Sequence, residues 1–155
     1  MEYAEFCDLV KEIVLQATQL KDKHIPEHKA VAEWVGFFSQ SEEEYEELLK
    51  AVKKIGKMIK ETPTGLIFLV PPIATVSGSL RVIKVRLPDA TKPERGDADF
   101  RVSDYRKLKK EVLKRKEFRL IQRSNHEMIE LMDKVFNVRA YFSDPPVSVQ
   151  YKLKK

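Results

Sequence analysis

VAEWVGFFS (Val31–Ser39) leads into SEEEYEELLKAVKKIG (Ser41–Gly56). About 60 residues on, DADFRVS (Asp97–Ser103) leads into SDYRKLKKEVLKRK (Ser103–Lys116). Each pair is a short apolar-rich run followed by a charged, amphipathic segment, and strand-like segments follow each. An echo at a fixed period is the signature of a repeated structural unit. Val31–Ser39 is rich in β-branched and aromatic residues and reads as a strand. Ser41 with Glu44 three residues later is a capping box, which starts a helix. Tyr45, Leu48, Leu49, Val52 and Ile55 line one face of that helix, and Gly56 ends it. KMIKET and GLIFLV flank Pro63-Thr64-Gly65 as a hairpin, and PPIATVSGS (Pro71–Ser79) reads as a loop. SLRVIKVRL (Ser79–Leu87) alternates β-branched with basic residues and reads as a strand. PDATKPERG (Pro88–Gly96) has the composition of a linker.

In the second copy Asp97, Asp99 and Arg101 share one strand face and Ala98, Phe100 and Val102 the other. FRLIQRS, HEMIELM and VRAYFS are the returning strands. His126–Met132 also fits a helical stripe, and the echo selects strand. Ahead of the repeat, Phe6, Leu9, Val10, Ile13, Val14 and Ala17 place a helix over Tyr3–Leu20, ending before Pro26. The predicted fold is α+β: two βαβββ modules forming a cupped mixed sheet, with an additional N-terminal helix. The division is 1–29 for the helix and loop, 30–87 for the first module, 88–96 for the crossover and 97–155 for the second module and tail.

The chain of 155 residues is 34% charged and carries a net charge of +5. Enrichment in Lys and Glu matches a thermophile-like surface, and equally a very soluble mesophile one. No apolar run is long enough to span a bilayer. The first residues lack a basic n-region, and Cys7 is alone, which together predict a cytoplasmic protein. The basic second helix (Lys109, Lys110, Arg115) offers a surface to nucleic acid or a partner, but no aromatic residues interleave with it to stack on bases.

A doubled strand–helix–three-strand unit resembles the vicinal oxygen chelate superfamily, which includes glyoxalases and extradiol dioxygenases. The segment LRVIKVRLPDATKPERGDADFRV and the preceding helix resemble its YecM-like branch. The resemblance implies a divalent metal (Mn, Mg, Fe, Ni or Zn) held in the cup, and a small oxygenated or carboxylated metabolite chelated on it. Carried over, the metal ligands are Glu33, Asp99 and Glu130, with Arg86, Lys84 and Trp34 binding the ligand. The first-strand position falls at Glu33 or Trp34, the second opening position at Asp97 or Asp99, and the late carboxylate at Glu127 or Glu130. The chain departs from the branch in having no histidine in either opening strand; His24, His28 and His126 lie in loops or at strand edges.

Each residue also has a structural reading. Asp97 and Asp99 fit a solvent face paired with Arg101, Glu33 a partner of a strand cation, and Glu127 and Glu130 surface carboxylates. Arg86 and Lys84 share a face that fits either cross-strand ion pairs or a cationic wall for an anion, since Arg grips carboxylates bidentately. Cys7 reads as a packing residue. Three functions follow: a metal-dependent enzyme, a metal-free small-molecule binding protein on the same scaffold, and a basic-helix nucleic-acid or partner-binding module. A homodimer is compatible with each.

Overall fold

The Ser41 hydroxyl accepts the Glu44 N–H at 3.1 Å, and the Glu44 carboxylate takes the Gln40 N–H at 3.0 Å. That cap starts the helix the sequence predicts and fixes the turn leaving the first strand. In this computed structural model, which describes residues 1–153, the elements are α1 (Tyr3–His24), β1 (Ala30–Phe38), α2 (Glu42–Ile55), β2 (Lys57–Thr62), β3 (Gly65–Thr75) and β4 (Gly78–Arg86). These are followed by β5 (Gly96–Val102), α3 (Tyr105–Val112), β6 (Phe118–Gln122), β7 (Glu127–Leu131), β8 (Val138–Asp144) and α4 (Val147–Gln150). The eight strands form one sheet in the order β2-β3-β4-β1-β5-β8-β7-β6.

This is the α+β fold expected from the echo. Each βαβββ run makes one half of the sheet, and the halves join where β1 pairs antiparallel with β5. Within each half the opening strand pairs parallel with the last one, β1 with β4 and β5 with β8. His126–Met132 is resolved in favour of strand: β7 pairs with both β6 and β8.

One face of the sheet is packed under α1, α2 and α3. Phe6 of α1 meets Phe37 of β1 with ring centroids 5.4 Å apart, and Phe100 stacks on Phe142 at 5.8 Å. Phe6, Val10, Val14, Ala17 and Leu20 are fully buried, so α1 is a structural cover for the seam between the halves. Cys7 packs against this core as a partly buried residue. The other face is concave and lined by charged and aromatic side chains.

Four local expectations are corrected. Helix α1 continues to His24, and Ile25 caps it because Pro26 follows. Pro71–Thr75 is not a loop but the end of β3: the register shifts between Leu69 and Ile73, so both prolines sit in a bulge where their missing N–H groups cost no ladder bond. Helix α3 covers only Tyr105–Val112 of the Ser103–Lys116 segment: Asp104 caps its start by accepting the Lys107 N–H, and beyond its end a turn bond from Arg115 N–H to Val112 C=O bends the chain toward β6. A fourth short helix, α4, follows β8 and had no sequence signal.

Candidate functional site in the cup

The concave face encloses a cavity of about 490 Å³. Its floor is built in rows across the sheet. Lys84 of β4, Gly36 of β1 and Asp97 of β5 lie side by side, as do Val82, Trp34, Asp99 and Tyr141. Gly36 is what lets the first row close up. A Cβ there would collide with the Asp97 carboxylate and come within 3.3 Å of Trp34 Nε1. The missing side chain leaves the Trp34 indole N–H free to donate to Asp97 Oδ1 at 3.2 Å.

Asp97 and Asp99 point into the cup from one strand face, and the solvent-face alternative fails for Asp99, which is 7% exposed. Arg101, their proposed partner, pairs with Glu33 instead at 3.5 Å. Burial pushes the Asp99 carboxyl up to about 7; the hydrogen bond from Ser143 opposes the rise, and the charges of Asp97 and Glu33 add to it. Burial also raises Asp97, against the pull of Arg86, the Trp34 hydrogen bond and Lys84.

Opposite these carboxylates stand cations. Burial, the largest cause, and the charges of Arg86, Lys60 and Lys92, with Asp97 opposing them, together lower the Lys84 ammonium to about 8. Lys84 Nζ donates to Thr64 Oγ1 at 2.7 Å. Arg86 lies over the Phe38 ring at 5.8 Å, and its buried Nε has no hydrogen-bond partner among the described residues. The cavity is lined by Lys60, Lys84, Arg86, Lys92, Arg119 and Arg123 against three carboxylates, Asp97, Asp99 and Glu130, so its wall is net positive. At the mouth, Lys60 of β2 and Arg123 beyond β6 both act on His126, whose pKa is lowered chiefly by burial.

Glu130 is held in a network of its own. It is 3% exposed, accepts the Tyr141 hydroxyl at 2.6 Å, and pairs with Arg139 at 3.4 Å and Arg119 at 3.2 Å. Glu127, on the opposite face of β7, accepts from Tyr105 at 2.7 Å and pairs with Lys109 at 2.8 Å. Glu33 is not part of the cavity wall. The register shift between Ala32 and Trp34 turns it aside, and its carboxylate accepts the Ser148 N–H of α4 at 3.1 Å. That contact seats α4 against the cup, where Val147 packs with Ile67 and Val82, and Tyr151 stacks on Trp34 at 6.4 Å.

Of the six residues carried over from the resemblance, the cavity thus unites Asp99, Glu130, Arg86, Lys84 and Trp34, and Glu33 lies outside it. Sequence reasoning missed Tyr141 and Ser143, although VRAYFS was read as a strand; its alternation alone puts both on the cup face. It also missed Gly36, whose place between Lys84 and Asp97 depends on pairing across three strands.

The donor set of the cup does not fit a divalent metal. Glu130 is neutralised by two arginines, Asp99 is bound by Ser143, and Glu33 is directed to α4. Among the described residues, the one group of three His, Cys, Asp or Glu side chains whose ligand atoms converge within 4.8 Å is Glu27, His28 and Glu111, outside the cavity wall. There His28 Nε2 lies 2.8 Å from Glu111, while His24 binds Asp133 at 2.9 Å, so the two histidines serve separate ion pairs.

No family model matches the sequence, and no curated protein matches it. Among solved structures, one named "Structural Genomics, Protein EC4020" is similar over 93% of this chain and 91% of its own, with TM-score 0.63 and 12% identity. A methylmalonyl-CoA epimerase from Mycobacterium tuberculosis is similar over 73% of this chain and 86% of its own, with TM-score 0.41 and 12% identity. At 12% identity the first likeness is one of fold alone. Among the described residues, no helix is long and apolar enough to cross a membrane.

Proposed function

We propose that the cup binds a small anionic, oxygenated metabolite without a resident metal, Arg86 and Lys84 holding its negative charge and Asp99 exchanging a proton with it. The observation that carries this reading is the row Lys84–Gly36–Asp97, with Asp99 on the same strand face: the Asp97 carboxylate lies over Gly36, where no side chain stands in its way, in the same cavity wall as the buried Lys84 and the buried Asp99. Arg86 supports the anion, because it lines the cavity with Lys84 and a guanidinium matches a carboxylate bidentately. A carboxyl with its pKa near 7 is suited to take or give a proton at neutral pH. Trp34 and Tyr151 add an aromatic side wall. The fold chooses no substrate by itself. The YecM-like branch remains our proposal for the nearest relatives, supported by α1 preceding the first module.

The test is thermal stability of the full chain with a panel of hydroxy acids, dicarboxylates and sugar phosphates, with and without a chelator. A ligand at ten times its Kd stabilises by about 1.4 kcal/mol. We expect saturable stabilisation that survives the chelator and is lost in Arg86→Ala and Lys84→Ala. Stabilisation that appears only on adding Mn, Mg, Fe, Ni or Zn refutes this reading and favours the metal-dependent enzyme of the vicinal oxygen chelate type. Salt-sensitive binding to random DNA or RNA, with no small-molecule response, favours the basic helix as the working surface.

A further inference from the structure

Lys84 has more chemistry available to it than charge. Its side chain is buried, at 8% exposure for the residue, and still reaches the cavity. Its hydrogen-bond partner is a neutral hydroxyl, Thr64 Oγ1, rather than a carboxylate. Arg86 lies two residues along the same strand face, and the charges of Lys60, on β2, and Lys92, in the segment between β4 and β5, also bear on the amine. Asp97 is the one opposing charge, one strand beyond Gly36. Desolvation and adjacent cations are the two ways a protein keeps a lysine amine neutral and nucleophilic. Lys84, Arg86, Asp97 and Asp99 all line the one cavity, which is where a ligand meets the amine.

We propose that Lys84 is a Schiff-base lysine: its Nζ condenses with the carbonyl of a small anionic oxo compound, a 2-oxo acid or an aldehyde acid, whose carboxylate lies on Arg86. The Nζ lone pair attacks the carbonyl carbon and the C=O pair moves onto oxygen, which takes a proton. The nitrogen gives up one of its two hydrogens as a proton, and the carbinolamine then loses that oxygen as water after a second protonation, leaving one hydrogen on a protonated C=N bond. The sum is neutral amine plus carbonyl plus one proton giving protonated imine plus water, with no oxidant or reductant. Asp99 is placed on the same floor to donate and recover the protons. The proposal rests on the cup being an anion site.

The test uses the full chain with pyruvate or glyoxylate as probe and borohydride to trap the imine, read by intact mass and peptide mapping. The fall of the Lys84 ammonium from 10.5 to about 8 raises its neutral fraction at pH 7 roughly three-hundredfold. We therefore expect Lys84 to be trapped at least about tenfold faster than any surface lysine. Labelling rises with pH up to about pH 8 and slows when a 2-hydroxy acid, which binds but cannot condense, is added. Lys84→Arg abolishes the adduct. Trapping at Lys92 or spread over surface lysines overturns the proposal. So does wild-type protein that is stabilised by the same oxo acids in the thermal assay but gives no Lys84 adduct, a result that leaves the anion reading standing. Neither stabilisation nor adduct sinks both.

Discussion

Asp99→Asn is expected to stabilise the protein progressively as pH rises from about 4 to 7, fully above pH 7, and not below about pH 4. In the folded chain burial holds the Asp99 carboxyl near 7, against 3.8 for an unperturbed side chain. Below about pH 4 both the folded and unfolded chains carry the proton, and the residue costs nothing. Between about pH 4 and 7 the unfolded chain releases its proton while the folded chain keeps it, so stability falls as pH rises, by up to about 1.4 kcal/mol per pH unit. Above pH 7 both are ionised and the cost is complete, with a ceiling of about 4 kcal/mol for the rise from 3.8 to about 7. An asparagine keeps the shape and can still accept from Ser143, but it carries no charge to desolvate or to be repelled by Asp97 and Glu33. Urea unfolding at a series of pH values from 4 to 8 reads this directly. The wild-type midpoint should fall across the series. The variant should lose this fall and keep the contributions of other shifted groups, among them Asp97, raised in the same direction, and His126, lowered and so acting in the opposite sense. Parallel slopes for the two proteins would refute the reasoning, because they would mean that the folded chain solvates the Asp99 charge as well as water does.

Gly36→Ala should abolish the anion-dependent thermal shift and cost about 1–3 kcal/mol, as overpacked sites do, because the new methyl displaces the Asp97 carboxylate from Trp34; a variant that still binds argues that Asp97 and Trp34 are not part of the site. Glu130→Gln should cost about 3 kcal/mol in urea unfolding, because Arg139, only 6% exposed, loses a charged partner and keeps Glu94 at 3.0 Å; a change within about 0.5 kcal/mol would mean that the Glu130 network behaves as a surface pair.

Elements whose signals are local were legible. The Ser41–Glu44 cap, the apolar stripe of α1, and the alternation in β4 and β5 each depend on neighbours within a turn or a pleat. The β7 strand was ambiguous in isolation, because a short apolar run fits two periods, and it was settled by the repeat. Strand alternation also placed Lys84 with Arg86, and Asp97 with Asp99, on common faces.

By itself the sequence determined the order of elements, the two-module plan and the faces on which the charged residues lie. The tertiary structure decided which of those charges meet. The shift between Ala32 and Trp34 diverts Glu33 to α4, and that bulge exists only in the pairing of β1 with β5. Glu130 is satisfied by Arg119 and Arg139 from the strands on either side, and Lys84 faces Asp97 across a glycine on a third strand. Side-chain period is written along one strand, whereas register, burial and the pKa values they set arise between strands that are far apart in the chain.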